Sequence, residues 1–201
     1  MIYDMNDTLG YYEKNAESFA NETADIEFSE MQDLFLSKLQ EGASILDFGC
    51  GSGRDTRYFL QRGYWVTALD GSAELCRIAA ERTGIPVIQM DFNDFNVKDK
   101  YDGIWACSSI LHLPKQELKS VLIHTEKALH NDGIIYTSFK YGDFSGMRNG
   151  RYFIDFTEDS FRTFVSEIEQ LVIEKIWLTD DVRPGRQDEK WLNIILRTKR
   201  G

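Results

Sequence analysis

The residues with the clearest chemical potential lie between positions 44 and 70, where a glycine-rich turn stands between two acids. Glycine occupies every second position of the turn 49–53, and the turn follows a short apolar run that ends in Asp47. Glycine lets the backbone pass close to a ligand where a Cβ would clash. A helix that begins near Arg54 would direct its amide groups and the positive end of its dipole at a ligand over the turn. The pattern therefore indicates a small-molecule binding site.

The acid at the other end of this stretch indicates the kind of ligand. A second apolar run, 65–69, has the pattern of a strand, and Asp70 stands at its carboxyl end. A carboxylate in that place can accept hydrogen bonds from two ribose hydroxyls. Strand, glycine turn, helix, strand and acid form half of a nucleotide-binding βαβ unit. We therefore predict a ligand that contains a nucleoside.

The spacing of the glycines distinguishes between nucleoside ligands. A dinucleotide fingerprint requires a third glycine at the position that Arg54 occupies, and this side chain would obstruct the close approach that a pyrophosphate needs. The pattern Asp-x-Gly-x-Gly-x-Gly, from Asp47 to Gly53, instead resembles the first motif of class I S-adenosylmethionine-dependent methyltransferases. The resemblance implies that the turn packs against the methionine end and the ribose of S-adenosyl-L-methionine, with S-adenosyl-L-homocysteine as the product.

Later motifs extend the resemblance along nearly the whole chain. Asp91 and Phe92 follow a third apolar run, 85–90, and the resemblance implies that the acid binds the adenine amino group while the ring stacks on adenine. A turn-capping role is the alternative for Asp91. A fourth run, 101–107, begins with Tyr-Asp, as in the fourth motif of the family, and ends at Cys107, where methionine and acceptor should meet. The residues predicted to contact the cofactor are Asp47, Gly49, Cys50, Gly51, Ser52, Gly53, Asp70, Gly71, Ser72, Asp91, Phe92, Cys107 and Tyr12.

The amino-terminal residues 1–42 have the spacing of two amphipathic helices, which suits the cofactor-capping segment that class I methyltransferases often carry. Tyr3, Tyr11 and Tyr12 are the aromatic residues of interest there, because a cationic sulfonium is attracted to the face of an aromatic ring. We predict that Tyr12 touches the cofactor. The alternative is that these tyrosines only pack the helix onto the rest of the domain.

The remaining apolar runs predict the far side of the sheet. A fifth strand, 134–139, follows an Asp-Gly turn, and the glycine-rich stretch 141–156 reads as a loop beyond its carboxyl end. The runs 171–178 and 191–196 are predicted as the sixth and seventh strands. The turn between them is too short for a crossover helix, so they should be antiparallel neighbours.

These elements predict one α/β domain. At 201 residues the chain can bury a sheet that is covered by helices on both faces. We predict a helical cap over residues 1–42 and a Rossmann-like, doubly wound core over residues 43–201. Its seven-stranded sheet should be mostly parallel with an antiparallel last strand, which is the class I methyltransferase fold.

Composition disfavours several classes of partner. The formal net charge of −10 repels a nucleic-acid backbone. No apolar run approaches the ~20 residues that cross a bilayer, and the amino terminus lacks the charged and apolar regions of a signal peptide, so we expect a cytoplasmic protein. The three cysteines show no metal-ligand spacing, and we predict no metal. No pattern in the sequence indicates an oligomeric state.

A base is needed only if the methyl acceptor must lose a proton. His112 follows the fourth strand and is the histidine outside a helical pattern, so it is the candidate base. The alternative for His112 is a helix-entry residue that is hydrogen-bonded to the backbone. His124 and His130 read as helix-surface residues.

Five cations fall near the predicted binding edge of a chain that is acidic overall. The planar fork of arginine suits a carboxylate or a phosphate, so we predict a small anionic acceptor with Tyr141, Tyr152 and Trp191 as walls. Nearby aspartates provide the alternative, which is a salt-bridged surface loop. The cations are Lys140, Arg148, Arg151, Arg183 and Arg186.

Three classes of function remain open from the sequence. The leading hypothesis is a methyltransferase that methylates a small, anionic molecule by in-line displacement, where alignment of the reactants supplies much of the rate. An RNA or protein methyltransferase is the second hypothesis, although the sequence has no basic tail, RNA module or Asn-Pro-Pro-Tyr-like motif. A cofactor-binding protein without catalysis, or a Rossmann oxidoreductase, is the third.

Overall fold

The structure is a computed structural model that describes residues 5–183, 185–186 and 188–199, with side chains from Thr8 onward. Tyr3 lies outside the described residues. The helices are α1 (Met5–Thr23), α2 (Ser29–Leu36), α3 (Arg54–Gln61), α4 (Ala73–Thr83), α5 (Lys115–Ala128) and α6 (Glu158–Val165). The strands are β1 (Ser44–Phe48), β2 (Trp65–Asp70), β3 (Val87–Gln89), β4 (Tyr101–Ala106), β5 (Leu129–Lys140), β6 (Ser145–Arg148), β7 (Arg151–Ile154), β8 (Leu171–Asp180) and β9 (Lys190–Thr198).

Seven of these strands form one sheet in the order β3-β2-β1-β4-β5-β9-β8. The pairs from β3 to β5 are parallel, whereas β9 runs antiparallel to both of its neighbours. The predicted sheet, mostly parallel with an antiparallel last strand, is therefore confirmed. The strand order reverses between β1 and β4, which places their carboxyl ends on either side of a crevice.

Helices cover both faces of the sheet. On one face, Trp105 of β4 stacks on Tyr136 of β5 with ring centroids 4.0 Å apart. It packs there with Phe35 of α2 and Phe59 of α3. On the other face, α5 and α6 bury leucines and phenylalanines, including the fully buried Phe161. Because successive residues of a strand point to opposite faces, both faces of β4 and β5 are apolar and the sheet lies in the middle of the core.

The stretch 141–156, predicted as a loop, contains a second, two-stranded sheet. Strands β6 and β7 pair as an antiparallel hairpin, joined through Asn149 and Gly150, whose φ angles are +51° and +76°. Two residues at positive φ form the tight turn whose twist matches paired strands, and Asn-Gly is its preferred sequence. The prediction of an irregular loop was wrong, and the Asn-Gly pair was the overlooked signal.

Strand β5 also begins earlier than predicted. Tyr101 of β4 pairs with Leu129, and the next pair joins Gly103 to Ile134. Between these two pairs β5 contains more residues than β4, which makes a bulge in β5. Asp132, with a φ of +70°, lies within this bulge. The predicted start at residue 134 was therefore wrong, since a bulge interrupts the apolar pattern without ending the strand.

The bulge changes the placement of one histidine. His130 lies in β5 and not on a helix surface, with Nδ1 3.0 Å from Asp102 Oδ1 and Nε2 3.0 Å from the Asp99 carbonyl oxygen. His124 lies in α5, as predicted. Within the described residues, no helix has both the length and the apolar composition that a bilayer crossing demands.

Candidate cofactor and acceptor site

A cavity opens at the carboxyl edge of the sheet, under helix α1. One side of it, called here the glycine-turn side, is formed by the turn 49–52 and by the residues that follow β2 and β3. The other side, called here the cation side, is formed by His112, Arg151 and the segments that meet at the ends of β5, β8 and β9. The carboxyl edge is where open α/β sheets bind ligands.

The glycine turn brings backbone to the cavity wall. Gly49 has a φ of +88°, and a Cβ at this position would lie 2.4 Å from Ser109 Cβ. The amides of Gly49 and Cys50 both donate to the Leu69 carbonyl oxygen, at 2.8 and 2.9 Å. Only glycine combines this backbone conformation with so close an approach. The turn is therefore a fixed backbone surface with little side-chain bulk.

Asp70 is held rigidly at the end of β2. Its Oδ2 accepts from the Gly51 amide at 2.9 Å and its Oδ1 accepts from the Ser72 amide at 3.0 Å. Burial raises the pKa of this carboxyl, while the amides that donate to it oppose the rise. Each carboxylate oxygen can accept a further hydrogen bond, so the group can bind two hydroxyls that enter the cavity.

Asp91 and Phe92 both line the cavity after β3. Asp91 caps a short 3₁₀ helix, Phe92–Asp94, because its Oδ1 accepts from the Asn93 amide at 2.8 Å. Asp91 therefore acts as the turn cap of the alternative interpretation and also lines the cavity. The ring of Phe92 packs on Phe48 with centroids 4.5 Å apart, which fixes it beside the glycine turn.

Three predicted cofactor residues do not reach the cavity wall: Asp47, Gly53 and Ser72. Asp47 lies beneath the turn, where it accepts from Thr56 Oγ1 at 2.5 Å. Gly53 is the N-cap residue immediately before α3, with a φ of +77°. The Ser72 hydroxyl caps α4 through the Leu75 amide. These residues stabilise the turn and the adjacent helix ends from outside the cavity wall, so their geometry supports a structural role.

A buried ionic network supports the turn from the side of α3. Asp55 accepts two hydrogen bonds from Arg54, at 2.7 and 2.9 Å, and one each from Gln32 and Trp105, at 2.6 and 2.8 Å. Burial raises the pKa of Asp55, but the guanidinium and the other donors outweigh burial and lower it. Burial and the charge of Asp55 raise the pKa of Asp47. This network could not be predicted from local sequence, because its partners come from α2, α3 and β4.

Helix α1 forms the roof of the cavity. Leu9 packs on Gly71, where a Cβ would lie 2.5 Å from Leu9 Cδ2, and Thr8 Oγ1 accepts from the Tyr152 amide at 3.0 Å. Tyr12 and Phe19 lie on the cavity face of the helix, with ring centroids 5.2 Å apart. Phe19 was missed as a wall residue, although a position seven residues after Tyr12 lies on the same helical face.

His112 lies under the roof with both ring nitrogens engaged. Its Nδ1 is 2.6 Å from the Tyr152 carbonyl oxygen, and its Nε2 is 2.8 Å from the hydroxyl of Tyr12. A carbonyl oxygen can only accept, so Nδ1 carries the hydrogen and Nε2 accepts from the phenol. Burial lowers the pKa of His112 to about 4. The structure thus contains the backbone-bonded histidine of the alternative interpretation, placed in the cavity wall.

Acids neutralise most of the predicted cations. Lys140 donates to Asp181 at 3.2 Å and also to Glu189. Arg183 donates from Nε and Nη2 to Asp181, at 2.9 and 2.5 Å, and Arg186 lies 3.9 Å from Glu189. Although burial raises the pKa of Asp181, hydrogen bonds from Arg183 and Trp191 outweigh it and lower the pKa. For these cations the salt-bridged alternative is what the structure contains.

Arg148 and Arg151 pair with each other across the hairpin, but their side chains have different partners and positions. Arg148 donates to Asp155 at 2.7 Å and lies outside the cavity wall, so the acceptor role predicted for it has no support in this geometry. Arg151 lines the cavity and has no carboxylate partner among the residues with described side chains. Its guanidinium lies 4.5 Å above the ring of Tyr11 and 5.2 Å from the ring of Phe153.

Of the predicted aromatic walls, Trp191 lines the cavity, whereas Tyr141 and Tyr152 are absent from its lining. The hydroxyl of Tyr152 instead lies 2.7 Å from Ser145 Oγ. Phe153 takes the place expected of Tyr152, because residues one apart in a strand face opposite sides. The wrong residue was predicted because the hairpin, which sets the direction of these two side chains, was missed.

Comparison with known proteins places these features in a family context. The sequence profile described as "Methyltransferase domain" matches residues 45–133, which include the glycine turn, Asp70, Asp91 and His112. An uncharacterized methyltransferase of Geobacillus thermodenitrificans is 25% identical over 170 residues, 80% of this chain and 79% of that protein. Within the described ranges, no group of three or more metal-binding side chains could hold an ion.

Two further relatives are named for an activity. The probable S-adenosyl-L-methionine-dependent methyltransferase TehB of Haemophilus influenzae is 28% identical over 127 residues, 59% of this chain and 43% of that protein. The trans-aconitate 2-methyltransferase of Mycobacterium tuberculosis is 34% identical over 79 residues, 38% of this chain and 30% of that protein. The chain thus spans less than half the length of either relative.

A solved structure has the same fold. The 1,6-didemethyltoxoflavin-N1-methyltransferase of Burkholderia thailandensis, with bound 1,6-didemethyltoxoflavin and S-adenosylhomocysteine, superposes with a TM-score of 0.74 at 22% identity. The match covers 96% of this chain and 85% of that chain. At this level of identity the likeness concerns the fold, and the chemistry must be argued from the residues of the cavity.

Proposed function

We propose that this chain is a class I S-adenosylmethionine-dependent methyltransferase of the TehB-like type, and that it methylates a small, anionic molecule bound on the cation side of the cavity. The donor is S-adenosyl-L-methionine, which supplies a methyl group already activated on a sulfonium. No covalent enzyme intermediate is needed, and the contribution of the protein is to bind and align the reactants, which can be worth about 7–11 kcal/mol in well-oriented pairs.

The glycine-turn side fits this donor. A Cβ at Gly49 would collide with Ser109, so the turn presents bare backbone to the cavity. This surface suits a nucleoside that has no pyrophosphate. In our proposal Asp70 binds the ribose hydroxyls, and Asp91 and Phe92 hold the adenine. Tyr12 offers an aromatic ring to the sulfonium, in keeping with the attraction of cations to such rings.

A small acceptor suits the roofed cavity. Helix α1 reaches from the hairpin, through Thr8 and the Tyr152 amide, to α4, where Glu13 accepts from the Ser72 hydroxyl at 2.6 Å. A metabolite fits beneath such a roof, whereas a folded macromolecule would have to displace it. The relatives named for trans-aconitate and 1,6-didemethyltoxoflavin act on small molecules by their names, which agrees with this proposal.

The anionic character of the acceptor rests on Arg151. Asp181 and Glu189 bind the other three cations on the cation side, while Arg151 has no carboxylate partner in the part of the chain with described side chains. Within the described residues its Nε is buried and has no hydrogen-bond partner, and a buried donor left unsatisfied costs about 1–3 kcal/mol. A carboxylate or similar anion would satisfy this guanidinium, and this is the observation that carries the proposal.

A screen of small metabolites that follows release of S-adenosylhomocysteine tests the proposal. Calorimetry with S-adenosylmethionine, S-adenosylhomocysteine and NAD first checks the donor. For an acceptor found in this way, Arg151→Ala should raise KM at least tenfold, or ~1.4 kcal/mol. Arg148→Ala is the matched control, because it removes the same group from the same hairpin outside the cavity wall. Equal effects of the two variants, or turnover limited to neutral acceptors, would contradict the proposal.

A further inference from the structure

The hydrogen atoms between α1, the hairpin and His112 can be assigned from the donors and acceptors present. His112 Nδ1–H donates to the Tyr152 carbonyl, and His112 Nε2 accepts the hydroxyl hydrogen of Tyr12. Arg151 Nη1 donates to the same phenol oxygen at 3.2 Å. The lone pair that a basic imidazole would use is therefore already directed at a donor.

Within the described residues, the other acids and the thiol on the cation side are paired with cations or stay protonated. Asp180, which also lines the cavity, pairs with Lys190. Lys140 donates to two carboxylates, and Asp181 accepts from Lys140, Arg183 and Trp191. Burial raises the pKa of the Cys107 thiol to about 12, so it stays protonated. Burial also raises the pKa of Tyr12, which keeps its phenol protonated as well.

We propose that His112 is a positioning residue and not a base. It fixes the Tyr12 phenol, whose oxygen accepts from Arg151 Nη1 and so positions the guanidinium. Arg151 then binds an acceptor whose attacking atom arrives already deprotonated. This inference rests on the proposed function and narrows it to acceptors that are nucleophilic as anions, such as carboxylates or acidic hydroxyls. His112 anchors this arrangement because its ring joins the hairpin, through Tyr152, to α1, through Tyr12.

The charges and atoms balance without a base. An electron pair of the anionic acceptor atom forms the new bond to the methyl carbon, and the sulfur–carbon bond breaks with its pair left on sulfur. The negative charge of the acceptor and the positive charge of the sulfonium are both neutralised, and no proton moves. A neutral alcohol would have to lose a proton in this step, and a neutral amine would leave it as an ammonium that must lose a proton afterwards. The cation side has no group ready to take either proton.

The protonation of His112 can be measured without knowing the acceptor. ¹⁵N NMR of histidine-labelled protein, with His112 assigned through the variant His112→Gln, should show a neutral Nδ1–H ring between about pH 5.5 and 8.5, where an ordinary histidine titrates. Among the described residues, the groups that face this ring include Tyr12, Arg151 and the Tyr152 carbonyl, and none of these three is an anion. A titration within that range, or the Nε2–H form, would overturn the inference.

Kinetics with any acceptor found by the screen separates positioning from base catalysis. Glutamine at 112 can accept from Tyr12 but has no proton to take up, whereas phenylalanine can do neither. We expect His112→Gln to keep kcat within about tenfold of the wild type, while His112→Phe and Tyr12→Phe lose about 10- to 100-fold in kcat/KM, or ~1.4–2.8 kcal/mol. An equal loss of kcat in both His112 variants would show that a base has been removed.

Two controls keep the outcomes separate. Calorimetric binding of S-adenosylhomocysteine and thermal unfolding of each variant show whether it still folds. The acceptor screen uses matched pairs, for example dicarboxylates and their amides or alcohols. Turnover of carboxylates with kcat independent of pH above the pKa of the acceptor supports the inference. Turnover of alcohols or amines alone overturns it and leaves the methyltransferase activity intact. No turnover of either pool, despite donor binding, contradicts the proposed function itself.

Discussion

The two sides of the cavity are built in different ways. The glycine-turn side is backbone, held by contacts between residues close in sequence, such as the Gly51 amide on Asp70, 19 positions away. The cation side is made of side chains that meet from distant segments; Tyr12 and His112 are 100 positions apart, and Arg151 and Tyr12 are 139 apart. A donor site made of backbone can serve with many different acceptors. An acceptor site made of side chains can be changed by substitution without disturbing the glycine turn. This difference predicts that a substitution on one side of the cavity should leave binding on the other side unchanged: donor binding on the glycine-turn side, or acceptor binding on the cation side.

The largest expected effect is on the glycine-turn side. Gly49→Ala places a Cβ 2.4 Å from Ser109 Cβ at a φ of +88°, so it should cost roughly 2–5 kcal/mol of stability through combined strain and overpacking and abolish measurable donor binding. Chemical unfolding and calorimetry provide the measurements. The matched control is Gly63→Ala, at a φ of +84° with no atom within 4 Å of the new Cβ, which should cost only about 1–2 kcal/mol. Equal costs would show that the close approach is unimportant.

On the cation side, Asp181→Asn removes the buried charge that holds Lys140 and Arg183. Because it leaves cations without their partner, the variant should lose about 3 kcal/mol in unfolding free energy. Binding of S-adenosylhomocysteine should stay within about tenfold of the wild type, or ~1.4 kcal/mol, since Asp181 lies on the other side of the cavity. Urea unfolding and calorimetry measure the two quantities. A collapse of donor affinity in a folded variant would break the distinction between the sides.

Asp70→Ala should have the opposite profile. We expect affinity for S-adenosylhomocysteine to fall about 10- to 100-fold, or ~1.4–2.8 kcal/mol, because the ribose loses its acceptor. The KM of an identified acceptor should change little. Asp143→Ala, at an exposed acid outside the cavity lining, is the control in the same calorimetric titration. Unchanged donor affinity in Asp70→Ala would remove the proposed ribose contact.

The smallest effect concerns a histidine outside both sides. Hydrogen bonding to Asp102 raises the pKa of His130, so its contribution to stability is fully present below the unfolded pKa of about 6.5. It is lost as pH rises through the folded pKa. His130→Gln should therefore destabilise the protein more at about pH 5.5 than at about pH 8.5. The two unfolding curves measure this difference, and a larger loss at high pH would contradict the sign. Donor binding by the variant should match the wild type.

Much of the fold followed from local pattern. The apolar runs, glycine turns and acids gave the strand sequence, and the short connection before β9 gave its antiparallel direction. The hairpin β6–β7 was missed because the residues of β6, Ser-Gly-Met-Arg, do not alternate between apolar and polar, and only the Asn149-Gly150 pair indicated the turn. The early start of β5 was missed because a bulge breaks the apolar pattern in the same way that a loop does.

The sequence by itself determined the glycine-turn side. Gly49 and Asp70 could be assigned because a turn and a strand end depend on neighbouring residues and on backbone sterics. The partners of the cations depended on the tertiary structure. Only the folded chain shows that Arg148 meets Asp155, that Arg151 lacks an acid among the described side chains, and that His112 accepts from Tyr12. Ion pairs and hydrogen bonds form between whatever groups the fold brings within about 3 Å, and sequence separation carries no information about that distance.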